Sequence, residues 1–369
     1  MSDMKKTTES PLERLPEPLL AWYRLRARDL PWRRTSDPYP IWVSEIMLQQ
    51  TRVAAVLGYY ARFLEAFPSV EALAQAPEDR LLKLWEGLGY YSRARNLQRA
   101  ARLITEERGG RFPDTYEGLL ALPGVGDYTA SAVASAAFGL PEPAVDGNVL
   151  RAVARLTDCR DDVLDPAVKK RVRAAVGAVM PRRAEDARVF NQAMMELGAT
   201  VCIPGGPPRC GECPAAEFCR GRLRGTAETL PVRRAKKPRR VEERTVYVLE
   251  RDGRIALRRR PETGLLAGLW EFPNTEGPPP DAASAADAVA DWGLTAAEWR
   301  EKLTARHLFT HVEWRMTGYV LRVRGPGAPE LLWVDGPGLA ECAVPSAFAR
   351  YYAEARRLLG AETEHQRDR

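Results

Sequence analysis

The chain has 369 residues, 45% of them hydrophobic and 28% charged, with a formal net charge of +6. At roughly 100–200 residues per domain this length predicts two or three domains, and the apolar content excludes disorder as the main state. No apolar signal-peptide core occurs in the first twenty residues, and the longest uncharged run, Tyr128–Pro141, has 14 residues. A spanning helix needs about 20, so a soluble, cytoplasmic protein without a membrane partner is expected.

Only 8 of the 55 basic residues are lysine, so the positive balance agrees with a nucleic-acid partner without establishing one. From Leu19 to about Leu197 apolar residues recur at helical spacing. They do so in Trp42–Phe67, Leu81–Trp85, Arg95–Glu107, Tyr128–Phe138 and Asn148–Leu156, with Pro and Gly between them. No strand-like alternation occurs there. Glu45, within Ile41–Thr51, is the only charge between Asp37 and Arg52. Apolar surroundings raise a carboxyl pKa, which suits a general acid; equally, a first-turn glutamate can serve only the helix dipole.

The string Leu122-Pro123-Gly124-Val125-Gly126 lies between two predicted helices. Such a turn can aim amide N–H groups at a phosphate without reading sequence. Further on, Asp146 precedes a helix in Asp146-Gly147-Asn148, where a plain N-cap is the simplest reading. If Glu45 and Asp146 meet, a protonated Glu45 and a better-solvated, ionised Asp146 would form the carboxylate pair of glycosidic bond cleavage. Spacing along the chain leaves their meeting open.

Four of the six cysteines, Cys202, Cys210, Cys213 and Cys219, fall in one short stretch with no histidine nearby. Four thiolates fit Zn²⁺ or a [4Fe–4S] cluster. Residues 220–244 hold ten Lys or Arg and read as an exposed linker. The period then switches to two: Thr245–Leu249 and Arg254–Arg258 flank Asp252-Gly253, a hairpin signal. Further strand-like runs, Arg315–Val323 and Leu331–Val334, and helices at Ala282–Trp292 and Ser346–Leu359 complete a separate α+β domain.

Seven ordered blocks resemble the endonuclease III superfamily of DNA base-excision enzymes and, within it, the MutY-type adenine DNA glycosylases. They are Leu30–Arg33, Glu45–Thr51, Gly87–Tyr91, Leu122–Gly126, Asp146–Asn148, Phe190–Ala193 and the four cysteines. The resemblance implies an all-α helix-hairpin-helix domain over residues 1–225, with the hairpin near 119–138 and an iron–sulfur cluster loop at 202–219. A basic linker, 226–244, then leads to a C-terminal α+β Nudix-like domain at 245–360 and a disordered tail at 361–369.

The function so implied is removal of adenine mispaired with 8-oxoguanine or guanine in double-stranded DNA, by a monomer carrying a [4Fe–4S] cluster on Cys202, Cys210, Cys213 and Cys219. Glu45 would protonate the flipped adenine and Asp146 would stabilise the oxocarbenium-like sugar, assisted by Tyr128 and Asn148. Arg28, Trp32, Arg33, Leu48 and Gln192 match the adenine pocket. Gln50, Thr51, Leu88 and Tyr90 match residues that fill or border the gap in the duplex. Pro123, Gly124, Val125 and Gly126 would meet phosphates, and Phe309, Thr310 and His311 would read the lesion. Extruding a base costs a few kcal/mol, so something must fill its place.

Two other readings compete with this one. An endonuclease III-type lyase needs a lysine nucleophile, yet its place two residues after the hairpin's last glycine holds Tyr128, and no lysine occurs between Lys83 and Lys169. A non-catalytic DNA-binding module would have no need of both carboxylates. The sequence departs from the family pattern in having Thr310 where serine is usual and one extra residue in the first cysteine gap.

Overall fold

The computed structural model describes residues 10–234, 238–277 and 281–360. The tail expected at 361–369 lies outside the described residues, as do residues 1–9 and, within the expected linker, 235–237. Two compact units divide the chain: residues 1–75 with 96–235, and residues 76–95 with 236–369.

The helices from the N-terminus to the cysteine stretch are α1 (Pro16–Arg26), α2 (Pro38–Leu48), α3 (Val53–Ala66), α4 (Val70–Ala74), α5 (Glu78–Leu84) and α6 (Ser92–Arg108). They continue with α7 (Tyr116–Leu120), α8 (Asp127–Phe138), α9 (Gly147–Thr157), α10 (Pro166–Val179), α11 (Ala184–Thr200) and α12 (Arg220–Leu223). Short polar residues start many of them: Asp37, Ser69, Thr115, Asp146 and Asp165 each accept a backbone N–H of the first turn. Pro38 and Pro166 sit just inside, where a missing N–H is harmless.

The apolar stripe of α11 (Phe190, Ala193, Met194, Leu197) packs with Leu19 and Tyr23 of α1 and with Val149, Val153 and Leu156 of α9 in one core. Each large side chain so buried contributes about 1.5–3 kcal/mol. The run Trp42–Phe67, read as one helical segment, is two helices. Its break falls at the turn after α2, where Gln50 takes a left-handed backbone with φ of 61°, and this break puts Gln50 and Thr51 on a turn.

Residues 76–95, read as part of the helical domain, group with the second unit because their side chains hold its backbone. Glu86 accepts the Val344 N–H at 3.1 Å, and Lys83 and Arg95 donate to the carbonyls of Cys342 and Ala267 at 3.1 and 2.9 Å. The rest of this unit holds the helices α13 (Ala282–Asp287), α14 (Gly336–Glu341) and α15 (Ala349–Leu358) and a seven-stranded sheet with β1 (Arg240–Arg251), β2 (Arg254–Arg259), β3 (Trp270–Glu271), β4 (Asn274–Glu276), β5 (Thr295–Leu308), β6 (Val312–Arg324) and β7 (Leu331–Val334). Its main order is β3-β2-β1-β6-β5, with β4 against β1 and β7 against β2. Only the β1–β6 pairing is parallel.

Alternation along β1 sends Val246 and Val248 to one face, with Ile255, Leu257, Val320 and Tyr351 of α15 (Ala349–Leu358). Tyr247 and Leu249 go to the other, with Tyr319, Leu321 and Trp292. The expected hairpin forms: Asp252 and Gly253 have φ of 52° and 71°, the two left-handed residues a type I′ turn demands. β1 starts at Arg240, five residues earlier than its apolar core suggested. β5 escaped the sequence reading because, as an edge strand, it leaves most positions exposed, polar and apolar alike, with only Leu303 buried, so no apolar alternation marks it.

Candidate active site

Five elements of the helical unit converge on a cavity of about 490 Å³. The 3₁₀ turn Pro31–Arg33 brings Trp32 and Arg33, and the chain before it brings Arg28. α2 brings Glu45 and Leu48, α8 brings Tyr128, the start of α9 brings Asp146 and Asn148, and α11 brings Gln192. All four residues expected to be catalytic and all five expected to line the adenine pocket therefore meet, joined by Thr51. The size suits a small-molecule ligand.

Glu45 is 9% exposed. Burial pushes its carboxyl up to about 7; the Tyr128 hydroxyl, donating to Glu45 Oε2 at 2.9 Å, and Arg33 pull it down, and the Asp146 charge adds to the rise. Asp146 is raised by burial as well, although its hydrogen bonds oppose the rise. Its Oδ1 accepts the backbone N–H groups of Asn148 and Val149, both at 2.8 Å, and its Oδ2 accepts the Asn148 amide at 2.7 Å. Donors aimed at both oxygens favour the anion. Asp146 thus depends on N–H donors rather than on the solvation its motif suggested. Tyr128 is raised well above the usual phenol range by burial and by both carboxylates, so it stays a neutral donor.

Sequence reasoning missed two buried neighbours. Glu196, one turn after Gln192 on α11, takes hydrogen bonds from Arg28 and Arg33. Arg151 donates to Asn148 Oδ1 at 2.8 Å, to the Gly198 carbonyl at 2.7 Å and to the Cys202 carbonyl at 2.7 Å. The signal was helical spacing: Glu196 is four residues from Gln192, and Arg151 three from Asn148, so each shares a face with a motif residue.

The residues expected at the DNA gap are split between surface and interior. Gln50 and Tyr90 are exposed and left-handed, with φ of 61° and 47°. Strain of this kind, about 1–3 kcal/mol per residue, is typically held at functional sites. Leu88 is 5% exposed and lies in the interior rather than on the surface. Between α7 and α8, Gly124 has φ of 76°, and a Cβ there would stand 2.6 Å from Asn96 Cβ. Pro123 and Val125 complete this turn, and Gly126 starts α8 without a side-chain cap, so no side chain there screens its first amides.

Phe309, Thr310 and His311 form the tight turn between β5 and β6, with Phe309 N–H donating to the Val312 carbonyl at 2.8 Å. Phe309 packs edge-on against Trp314, while Thr310 and His311 are exposed. The Thr310 and Tyr90 hydroxyls lie 2.6 Å apart.

Cys202, Cys210, Cys213 and Cys219 line one hollow with Arg155 and Arg222. Among the described residues no three His, Cys, Asp or Glu side chains are disposed to clasp a single metal ion. The donor set is nonetheless four thiols facing one space, and burial pushes the Cys213 thiol up to about 12. A metal ion binding such a thiol displaces its proton to solvent. Residues 204–207 are exposed, so the extra residue of the first gap is absorbed in solvent. No helix among the described residues is long and apolar enough to cross a membrane.

The family described as HhH-GPD superfamily base excision DNA repair protein matches residues 43–177, and a NUDIX domain matches residues 244–354. Adenine DNA glycosylase of Homo sapiens is 37% identical, over 83% of this chain and 66% of the human protein. Adenine DNA glycosylase of Rattus norvegicus is 35% identical, over 92% of this chain and 78% of the rat protein. A thermostable thymine-DNA glycosylase matches in structure with a TM-score of 0.51 and 28% identity, over 58% of this chain and 97% of that one.

Proposed function

Because this chain belongs to the adenine DNA glycosylases of the HhH-GPD base excision repair superfamily, we propose that its cavity receives an adenine extruded from DNA and cleaves the N-glycosidic bond with acid assistance. The observation that carries this mechanism is the pair of carboxylates on one wall, Glu45 buried and raised to about 7 and Asp146 held by three N–H donors. Glu45 passes its proton to a ring nitrogen of the base, the glycosidic electron pair leaves with the neutral adenine, and positive charge develops on the sugar. Asp146 faces that charge, preorganised by Asn148 and the N–H groups of α9, so little reorganisation is needed. A water from solvent then adds to the sugar carbon, its proton passing to the Glu45 carboxylate, and an abasic site results.

Arg28, Trp32, Arg33, Leu48 and Gln192 would frame the base, with Gln50 and Thr51 at the space it vacates. The uncapped start of α8 beyond Pro123–Gly126 offers N–H groups to a phosphate. We place 8-oxoguanine, or guanine, opposite the adenine, read by the Phe309-Thr310-His311 turn. Exposed polar tips on a turn anchored by Phe309 support that assignment.

With Tyr128 where a lyase would carry a lysine, the product strand should stay intact. Duplexes holding A:8-oxoguanine, A:G, A:T or thymine glycol, treated with and without alkali, test this. Excision should favour A:8-oxoguanine, strand breaks should follow alkali only, and borohydride should trap little covalent complex. Strand cutting without alkali at the rate of base loss would overturn the monofunctional reading.

The four cysteines, an all-thiol donor set, fit a [4Fe–4S] cluster or zinc, and the family resemblance makes the cluster our choice of resident group. When bound, the cluster would cross-link the cysteine loop and hold its basic side chains, such as Arg209 and Arg220, toward phosphates. Purified protein should then be yellow-brown with about four irons per chain, the content of one such cluster. Cys210→Ser or Cys213→Ser should lose iron and DNA affinity together. Colourless, fully active protein with one zinc would refute the assignment.

A further inference from the structure

Two guanidinium groups and one carboxylate form a closed knot on the cavity wall. Glu196 is 1% exposed. Its Oε1 accepts the backbone N–H and Nε of Arg28 at 3.2 and 2.7 Å, and its Oε2 accepts Nη2 of Arg28 at 2.8 Å and Nη2 of Arg33 at 2.7 Å. Arg33 also donates to the Arg28 carbonyl at 3.0 Å. Burial raises the Glu196 carboxyl, but the two arginines outweigh it and leave it below the usual range. The knot carries a net charge of one positive unit rather than two.

Arg33 is the cation of this knot that acts on Glu45, drawing its carboxyl toward the anion. The other groups acting on Glu45 are Tyr128 from α8 and Asp146 at the start of α9. Arg28, Arg52, Arg188 and Glu196 are the remaining charged residues of the cavity wall. We propose that Glu196 is a positioning residue for the reaction, fixing Arg28 and Arg33 as one unit and limiting the positive charge they present to Glu45. The proposal rests on the reading of Glu45 as proton donor. Without the Glu196 carboxylate, two unpaired guanidinium groups would stand on the wall beside a buried acid, where charges act more strongly than in water. A cation favours the ionised carboxyl, so Glu45 would lose its proton at lower pH.

The test is the pH dependence of single-turnover adenine excision by the full-length protein. Glu196→Gln should move the falling alkaline limb down by about one unit, giving about a tenfold loss on that limb that shrinks on acidification. Glu196→Asp keeps the charge and should leave the limb in place. Arg33→Met removes the cation while Glu196 stays paired with Arg28, and should move the limb upward; this variant decides the matter even if Glu196→Gln does not fold. An equal loss at every pH in Glu196→Gln, or an unmoved limb in Arg33→Met, would overturn the proposal. Glu45→Gln run alongside separates the two levels. Wild-type rates in that variant would sink the proton-donor reading itself, whereas lost excision there with immobile limbs in the Glu196 and Arg33 variants sinks only the role of Glu196.

Discussion

Glu45→Gln is expected to lower single-turnover adenine excision by roughly 10²-fold or more while duplex binding persists, since the shape of the side chain is kept and only the proton donor is lost. The pH dependence carries a definite sign. The Glu45 carboxyl is held at about 7 by burial, so the wild-type rate should fall as pH rises through about 7, and any residual rate of the variant should lack that fall. Wild-type stability should fall with rising pH as well. A buried acid whose folded pKa lies above its unfolded value binds its proton more tightly in the native state. Folding is then penalised as pH rises from the unfolded pKa to the folded one. With an ordinary value of 4.5 and a folded value of about 7, the penalty above neutrality reaches roughly 3 kcal/mol. Glu45→Gln removes it, so thermal unfolding at about pH 8 should show a variant more stable than wild type. A variant equally active, or one less stable at alkaline pH, would remove Glu45 as the proton donor; the helix-dipole role is already excluded, because Glu45 lies in the second half of α2 rather than in its first turn.

Asp146→Asn should reduce excision by about 10²–10³-fold through loss of the charge that faces the developing cation. Stability should change little, because asparagine caps a helix about as well as aspartate and can still accept the N–H groups of Asn148 and Val149. Asp146→Ala separates cap from catalyst: it should lose excision as well and, in addition, about 1 kcal/mol of stability. Single-turnover rates and thermal melts of both variants check this pair of outcomes. If Asp146→Asn excises at the wild-type rate, Asp146 is a cap and nothing more. The Asn148 amide that now donates to Asp146 would face a second amide in this variant. A weakened contact between Asn148 and Arg151 is therefore part of the expected damage.

Features governed by short-range physics were legible in the residues alone. Asp146 announces a helix start because capping acts within one turn. Asp252-Gly253 announces a hairpin because both residues tolerate a left-handed backbone. The lone charge of Glu45 in an apolar helix foretold its burial, and the cysteine spacing foretold a shared hollow. What only the tertiary structure decided depends on elements far apart in the chain. Glu45 and Asp146 meet because α2, α8, α9 and α11 pack around one cavity, and neither spacing nor periodicity encodes that convergence. Glu196 and Arg151 read as ordinary helix-surface charges until packing buries them against partners, and such burial is tolerated only where those partners are supplied. Leu88 goes to the interior, and β5 pairs at the sheet edge despite its polar pattern, because its main-chain bonds to β6 rather than its side chains hold it there. Local rules set the elements; long-range packing and the desolvation of charge set which side chains face one another.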